Sequence, residues 1–160
     1  MKQGLGTQLR HLIELLDGAV EAAYLEAGLD YRPRYTPVMR ALAAADALTI
    51  GEIAAQAGIT QPAATQTVAV MVKQGLLVTS AGAPDARRKM VRLNAAGRAM
   101  LPRLQQCWQA TSLAAASLDA QLPHPLSATL ADAIEALKAE SFGDRIRAAR
   151  AGLADESAQA

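Results

Sequence analysis

Along residues 5 to 27, apolar side chains recur every three or four positions: Leu5, Leu9, Leu12, Leu16, Ala19, Ala23 and Ala27. That spacing gathers them into one stripe along a helix, and Gly28 is its natural end. Pro33 and Pro37 then disfavour helix in the residues before them. Thr36 followed by Pro37 reads as an N-cap and first helical position, opening a short helix to about Ala45. Thr49 and Glu52 have capping-box spacing, with Ile53, Ala54 and Ala57 as the inner face of the helix they start, and Gly58 closes it. Thr60 caps the next helix, whose inner positions are Ala64, Val68, Met71 and Val72 and whose end is Gly75. Two short helices joined by a Gly-Ile-Thr turn predict a helix-turn-helix.

Directly afterwards the period changes. Leu76 to Ser80 is a β-prone run, Ala81 to Ala86 is rich in turn residues, and Lys89 to Leu93 alternates basic with apolar. A hairpin in this position is a wing. Asn94 caps a long helix with Leu101, Leu104, Trp108, Thr111, Ala115 and Leu118 on a near-heptad seam and Pro102 early inside it, where it should kink the helix. After Leu122-Pro-His-Pro, a further helix carries Leu126, Leu130, Ile134 and Leu137. Phe142-Gly143 is expected to interrupt it, with Arg145 to Leu153 adding a turn or two. The fold class expected is mainly α with a small β-hairpin wing.

Composition sharpens this picture. The 160 residues suit one domain or two lobes sharing a core, and the 37 alanines favour thin helices that pack closely, completed by a second copy of the chain. The net charge of +1 hides a lopsided distribution: −3 over residues 1–30, +7 over 31–103 and −3 over 104–160. A basic middle between acidic ends suggests a polyanion-binding lobe held by segments with another task. The expected division is therefore residues 1–30 as an N-terminal dimerisation helix, 31–103 as the winged lobe, and 104–160 as C-terminal dimerisation helices.

A single cysteine, Cys107, and two distant histidines, His11 and His124, leave no disulfide framework or multi-thiolate metal site, and no cofactor is called for. Cys107, beside Trp108 with no nearby cation in sequence, reads as an inert thiol, and the histidines as surface or interface residues. No stretch approaches a membrane span or a signal core, so a cytoplasmic location without membrane contact is expected. Nucleophile–base arrangements, phosphate loops, HExxH and GxSxG are all missing, which argues against an enzyme.

The chemistry lies in the second short helix and the wing. A recognition helix must offer small polar side chains near its N-terminus, where base edges of the major groove are reached. Gln61, Pro62, Thr65, Gln66 and Ala69 fall on the face opposite Ala64, Val68 and Met71. Glutamine can pair with adenine, and threonine or proline carbons can touch a thymine methyl. At the wing, Arg87, Arg88 and Lys89 put three cations in a row, suited to a narrow minor groove. Asp85 either aims an arginine or closes an Asx turn, or does both.

The string from Thr49 through Gln61-Pro-Ala-Ala-Thr-Gln to Val68, then Lys73-Gln-Gly-Leu-Leu and Pro84-Asp-Ala-Arg-Arg-Lys-Met-Val-Arg-Leu-Asn, resembles the MarR family of bacterial transcriptional regulators. The resemblance is close over residues 36–101 and one of arrangement only in the flanking helices. It implies a homodimer with intertwined terminal helices, a palindromic double-stranded DNA target, and a small aromatic or lipophilic effector. The family's Asp-x-Arg of the wing falls on Asp85 and Arg87, and its recognition-helix positions on Thr60 to Gln66, so Thr60 and Ala63 join the DNA-facing set. Gln66 stands where many members carry a basic residue, which implies fewer phosphate or guanine contacts, and Asn94 replaces the usual threonine.

Three aromatic residues, Tyr31, Tyr35 and Trp108, are conspicuous in a chain with 3% aromatics. Some of them are expected to line an effector pocket where the dimerisation helices meet the winged lobe, with ordinary packing as the alternative. Two other readings of the whole chain stay open at this level: a winged-helix protein-interaction module without DNA binding, and a small helical enzyme.

Overall fold

A computed structural model describes residues 4–81 and 89–158, which fall into two compact units meeting at Thr111 and Ser112. In the first unit, helix α1 (Leu5–Glu26) is followed by a 3-10 turn (Pro33–Tyr35), α2 (Thr36–Ala43), strand β1 (Leu48–Thr49), α3 (Ile50–Ala57), α4 (Gln61–Lys73), β2 (Leu77–Ala81) and β3 (Lys89–Leu93). Helix α5 (Ala95–Gln121) runs on through Pro102 across the unit boundary. The fold class agrees with the reading of the sequence, whereas strand β1 and the 3-10 turn are additions to it.

Three helices end by one device. Gly28, Gly58 and Gly75 have φ of 70°, 65° and 70°, a left-handed conformation that costs glycine little. Each closes its helix with paired backbone bonds; at the end of α4, for example, Leu76 N donates to Met71 O at 3.0 Å and Gly75 N to Val72 O at 3.0 Å. The apolar residue after each glycine is thereby turned back onto the lobe, and Leu29 and Leu76 are buried.

The core sits under α2, α3, α4 and the sheet, built from Val38, Met39, Leu42, Ile53, Ala64, Val68, Met71, Leu77, Val91, Leu93 and Leu104. Its N-terminal edge is three tyrosines in edge-to-face contact: Tyr24 on Tyr31 at 4.9 Å and Tyr31 on Tyr35 at 5.6 Å between ring centres. Thr36 is helical rather than the N-cap expected of it, and no side chain caps α2. Its hydroxyl is engaged elsewhere, 3.3 Å from the Tyr24 hydroxyl and accepting from that of Tyr31 at 3.5 Å. Two phenols brought into an apolar core need a partner, and that demand overrides the cap. Burial pushes the Tyr31 phenol up from its ordinary range, against the Thr36 contact, which pulls it down.

The sheet is antiparallel with order β1-β3-β2, pairing Leu77 with Leu93, Thr79 with Val91 and Leu48 with Val91. A two-residue strand such as β1 shows no alternation in sequence. Asn94 locks the sheet to α5: its Oδ1 accepts from Gly97 N at 2.9 Å, capping the helix, and its Nδ2 donates to Gly75 O at 2.6 Å.

In the second unit, α6 (Leu126–Ala139) and α7 (Phe142–Ala158) follow the last turns of α5. Asp119 accepts from the amide and hydroxyl of Ser127, which draws its carboxyl below the ordinary aspartate range. Phe142 and Gly143 form the first turn of α7 rather than an interruption; the break falls at Glu140 and Ser141, where the Ser141 hydroxyl accepts from Asp144 N at 3.2 Å and caps the helix. Among the described residues no helix is long and apolar enough to cross a membrane.

Candidate nucleic-acid interface

Helix α4 is held rigidly from its first residue. The Thr60 hydroxyl accepts from Ala63 N at 3.3 Å, which satisfies one of the free amides at the helix start, and Pro62 in the first turn fits a position that needs no donor. Ahead of it, Thr49 and Glu52 complete a reciprocal capping box on α3: Glu52 N donates to the Thr49 hydroxyl at 3.3 Å, and Thr49 N donates to the Glu52 carboxylate at 2.7 Å. Ala64, Val68 and Met71 are buried and fix the rotation of α4 about its axis.

That rotation leaves Gln61, Pro62, Thr65, Gln66 and Ala69 exposed on one continuous face, as read from the sequence. Ala63 is half-buried, and what it supplies is the amide that caps onto Thr60. Val72 is exposed rather than inward: with Val68 and Met71 filling the core, position 72 lies one step past the buried stripe. The face carries no charge until Lys73 in the last turn. Thr65 is the one side chain of the set with an internal commitment, its hydroxyl donating to Gln61 O at 2.9 Å.

On the hairpin, Lys89 is exposed and pairs with Ala81 at the last described rung of the β2–β3 ladder. Asp85, Arg87 and Arg88 lie outside the described residues. Arg92, which the sequence reading left unassigned, is exposed and donates across the ladder to the Ser80 hydroxyl at 3.1 Å. The strand alternation holds the signal for it: Val91 and Leu93 face in, so Arg92 must face out.

The aromatic residues are placed differently from one another. Tyr31 and Tyr35 fill the core. Trp108 is buried with its ring under the Arg40 guanidinium, 4.9 Å from cation to ring centre, and its indole N–H has no hydrogen-bond partner among the described residues. Arg40 and Trp108 are far apart in sequence, and no local pattern announces their contact. Two shallow clefts on this unit are lined by other residues, one of about 200 Å³ by Leu42, Asp46, Leu93, Arg98 and neighbours, the other by Thr7, Arg10, His11 and Glu14. Cys107 is half-buried.

Residues 28–88 match the model of the MarR family. No match is found among curated proteins. Among solved structures, the chain is similar to a transcriptional regulator of M. tuberculosis, MosR, solved in complex with DNA: 25% identity, 88% of this chain and all of that one covered, TM-score 0.68. It shares its fold with a probable transcriptional regulator from Pseudomonas aeruginosa at 23% identity, with 84% and 97% of the chains covered and a TM-score of 0.59. The PcaV regulator of Streptomyces coelicolor, solved with its natural ligand, shares the fold at 22% identity, 88% and 99% covered, TM-score 0.59. The family match spans α2, β1, α3, α4 and β2, and with β3 these elements form a winged helix-turn-helix.

Proposed function

We propose that the protein is a homodimeric transcriptional regulator that sets α4 into the major groove of a palindromic DNA operator and the hairpin tip against the adjacent minor groove. The observation that carries this is the α4 face: Gln61, Pro62, Thr65 and Gln66 stand exposed on a helix whose opposite side is anchored by Ala64, Val68 and Met71. Small and polar side chains on a rigid, capped helix are what close approach to base edges requires. The basic balance of residues 31–103 supplies the complement to phosphate. The MosR likeness, taken over its whole chain in a DNA complex, supports the same reading.

The roles divide by chemistry. Arg87, Arg88 and Lys89 address the backbone and the groove potential, with Asp85 orienting the turn, while Thr60 to Gln66 address bases. Dimerisation falls to residues 1–30 and 104–160, whose apolar residues are left uncovered in the single chain: Leu5, Leu15 and Leu25 of α1, and Ile134 of α6, are each more than half exposed. For regulation, the residue proposed to meet a small aromatic or lipophilic effector is Trp108, since its N–H lacks a partner among the described residues and Arg40 lies over its ring, whereas Tyr31 and Tyr35 are committed to core packing. The PcaV structure with its natural ligand supports an effector on this fold.

Two substitutions test the division of roles on a duplex selected from random sequence. Arg87→Ala should weaken binding to selected and random duplexes alike and lower the dependence on salt, since one phosphate contact contributes about 0.9 to the slope. Gln61→Ala should cost roughly 1–3 kcal/mol on the selected duplex alone. Equal losses for both variants on both duplexes would refute the assignment of α4 as the reading helix.

A further inference from the structure

The exposed face of α4 is apolar at its centre. At about 100° per residue, Pro62, Thr65 and Ala69 fall together, with Gln61 at one margin and Gln66 at the other. Thr65 would normally offer a hydroxyl to this face, but here the hydroxyl hydrogen is donated to Gln61 O at 2.9 Å, along the wall of the helix. With its hydroxyl hydrogen committed to the backbone, Thr65 offers this face no donor, and its methyl group is the apolar contact left to it. The same face has no arginine or lysine to grip guanine O6 and N7, and no carboxylate to accept from a cytosine amino group.

We infer that Thr65 is a specificity residue that reads a thymine 5-methyl group by apolar contact, flanked by the carbons of Pro62 and Ala69, with Gln61 and Gln66 directed to the neighbouring adenines. The half-site under α4 is therefore a T·A-rich element. The inference rests on the DNA-binding reading above and goes beyond it by naming the atom group recognised and the side-chain group that recognises it.

Deoxyuridine differs from thymidine only in lacking that methyl, so the test replaces each thymine of the selected duplex with deoxyuridine in turn. For the wild-type protein, one replacement in a single half-site should weaken binding about fourfold, the factor equivalent to ~0.8 kcal/mol for one buried carbon group. Thr65→Val keeps the methyl carbon and should retain that loss. Thr65→Ser keeps the hydroxyl with its backbone bond and removes the methyl, so it should bind thymine and uracil duplexes equally. Position 65 is exposed, and thermal melting of both variants will show whether either substitution disturbs the fold. Equal binding of thymine and uracil duplexes by the wild type overturns the inference, as does discrimination that survives in Thr65→Ser and vanishes in Thr65→Val. Either result leaves DNA binding itself intact. Failure to select any duplex over random sequence would instead remove the DNA-binding reading, and the inference with it.

Discussion

The winged lobe and the flanking helices carry the same helical period in sequence and meet opposite fates in the folded chain. In α4 the stripe Ala64, Val68, Met71 is buried. In α6 the equally regular stripe Leu126, Leu130, Ile134, Leu137 has no buried member, and Ile134 is 54% exposed. In α1 only Tyr24 is buried, while Leu5, at the start of the stripe, stays 65% exposed. A helical period therefore reports that one face is apolar, and says nothing about whether the cover comes from the same chain or from another.

The largest expected effect separates the two regions directly. Met71→Ala removes a fully buried side chain and should cost about 2–5 kcal/mol in denaturant unfolding, independently of protein concentration. Ile134→Ala should behave differently: if its cover is a second copy, the substitution raises the dimer dissociation constant, and its effect on the melting temperature is full at concentrations where the wild type is dimeric and vanishes on dilution to monomer. A loss from Ile134→Ala that did not vary with concentration would erase the contrast between the regions.

Next in size is Gly97→Ala. A Cβ at Gly97 would lie 2.4 Å from the Leu76 carbonyl oxygen and 3.2 Å from Leu93, so the junction of α5 with β2 and β3 must shift. Overpacking of this kind costs roughly 1–3 kcal/mol and should appear as a lower denaturation midpoint, since backbone has less room to yield than a flexible side chain.

Much of the lobe was legible because its signals are local. Caps at Thr49, Thr60 and Asn94 and left-handed glycines at Gly58 and Gly75 each work within a few residues, and the structure keeps all of them. What could not be read depends on partners remote in sequence. Thr36 left its cap for the hydroxyls of Tyr24 and Tyr31, β1 exists only because β3 accepts it, and Arg40 finds Trp108 across the fold. The Phe142-Gly143 pair was misread for a simpler reason: glycine suggested a break, whereas the Ser141 cap one residue earlier starts a helix that glycine can join. At the interface, the exposed face of α4 was legible from the period, while the commitment of the Thr65 hydroxyl to the backbone was not.

Smaller effects sharpen the comparison further. Thr60→Ala should cost about 1 kcal/mol of lobe stability through the lost cap, measured by thermal melting. In the second unit, Asp119 is held below the ordinary aspartate pKa of about 3.9 by Ser127. Its folded form thus binds the proton less readily than its unfolded form. The stabilisation it gives is complete above the unfolded value and is lost as the pH falls through the lower folded one. Asp119→Asn should flatten the acid limb of helix content followed by circular dichroism, and Ser127→Ala should do the same, because the hydroxyl contact is the main cause of the shift.

The most direct test of the whole account is a binding selection of the purified protein from random duplexes, followed by sequencing of the retained pool. A homodimer reading DNA through two copies of α4 should enrich an inverted repeat of T·A-rich half-sites whose centres lie about one helical turn, roughly 34 Å, apart. A pool with no enriched sequence, or with a single unrepeated half-site, would contradict it.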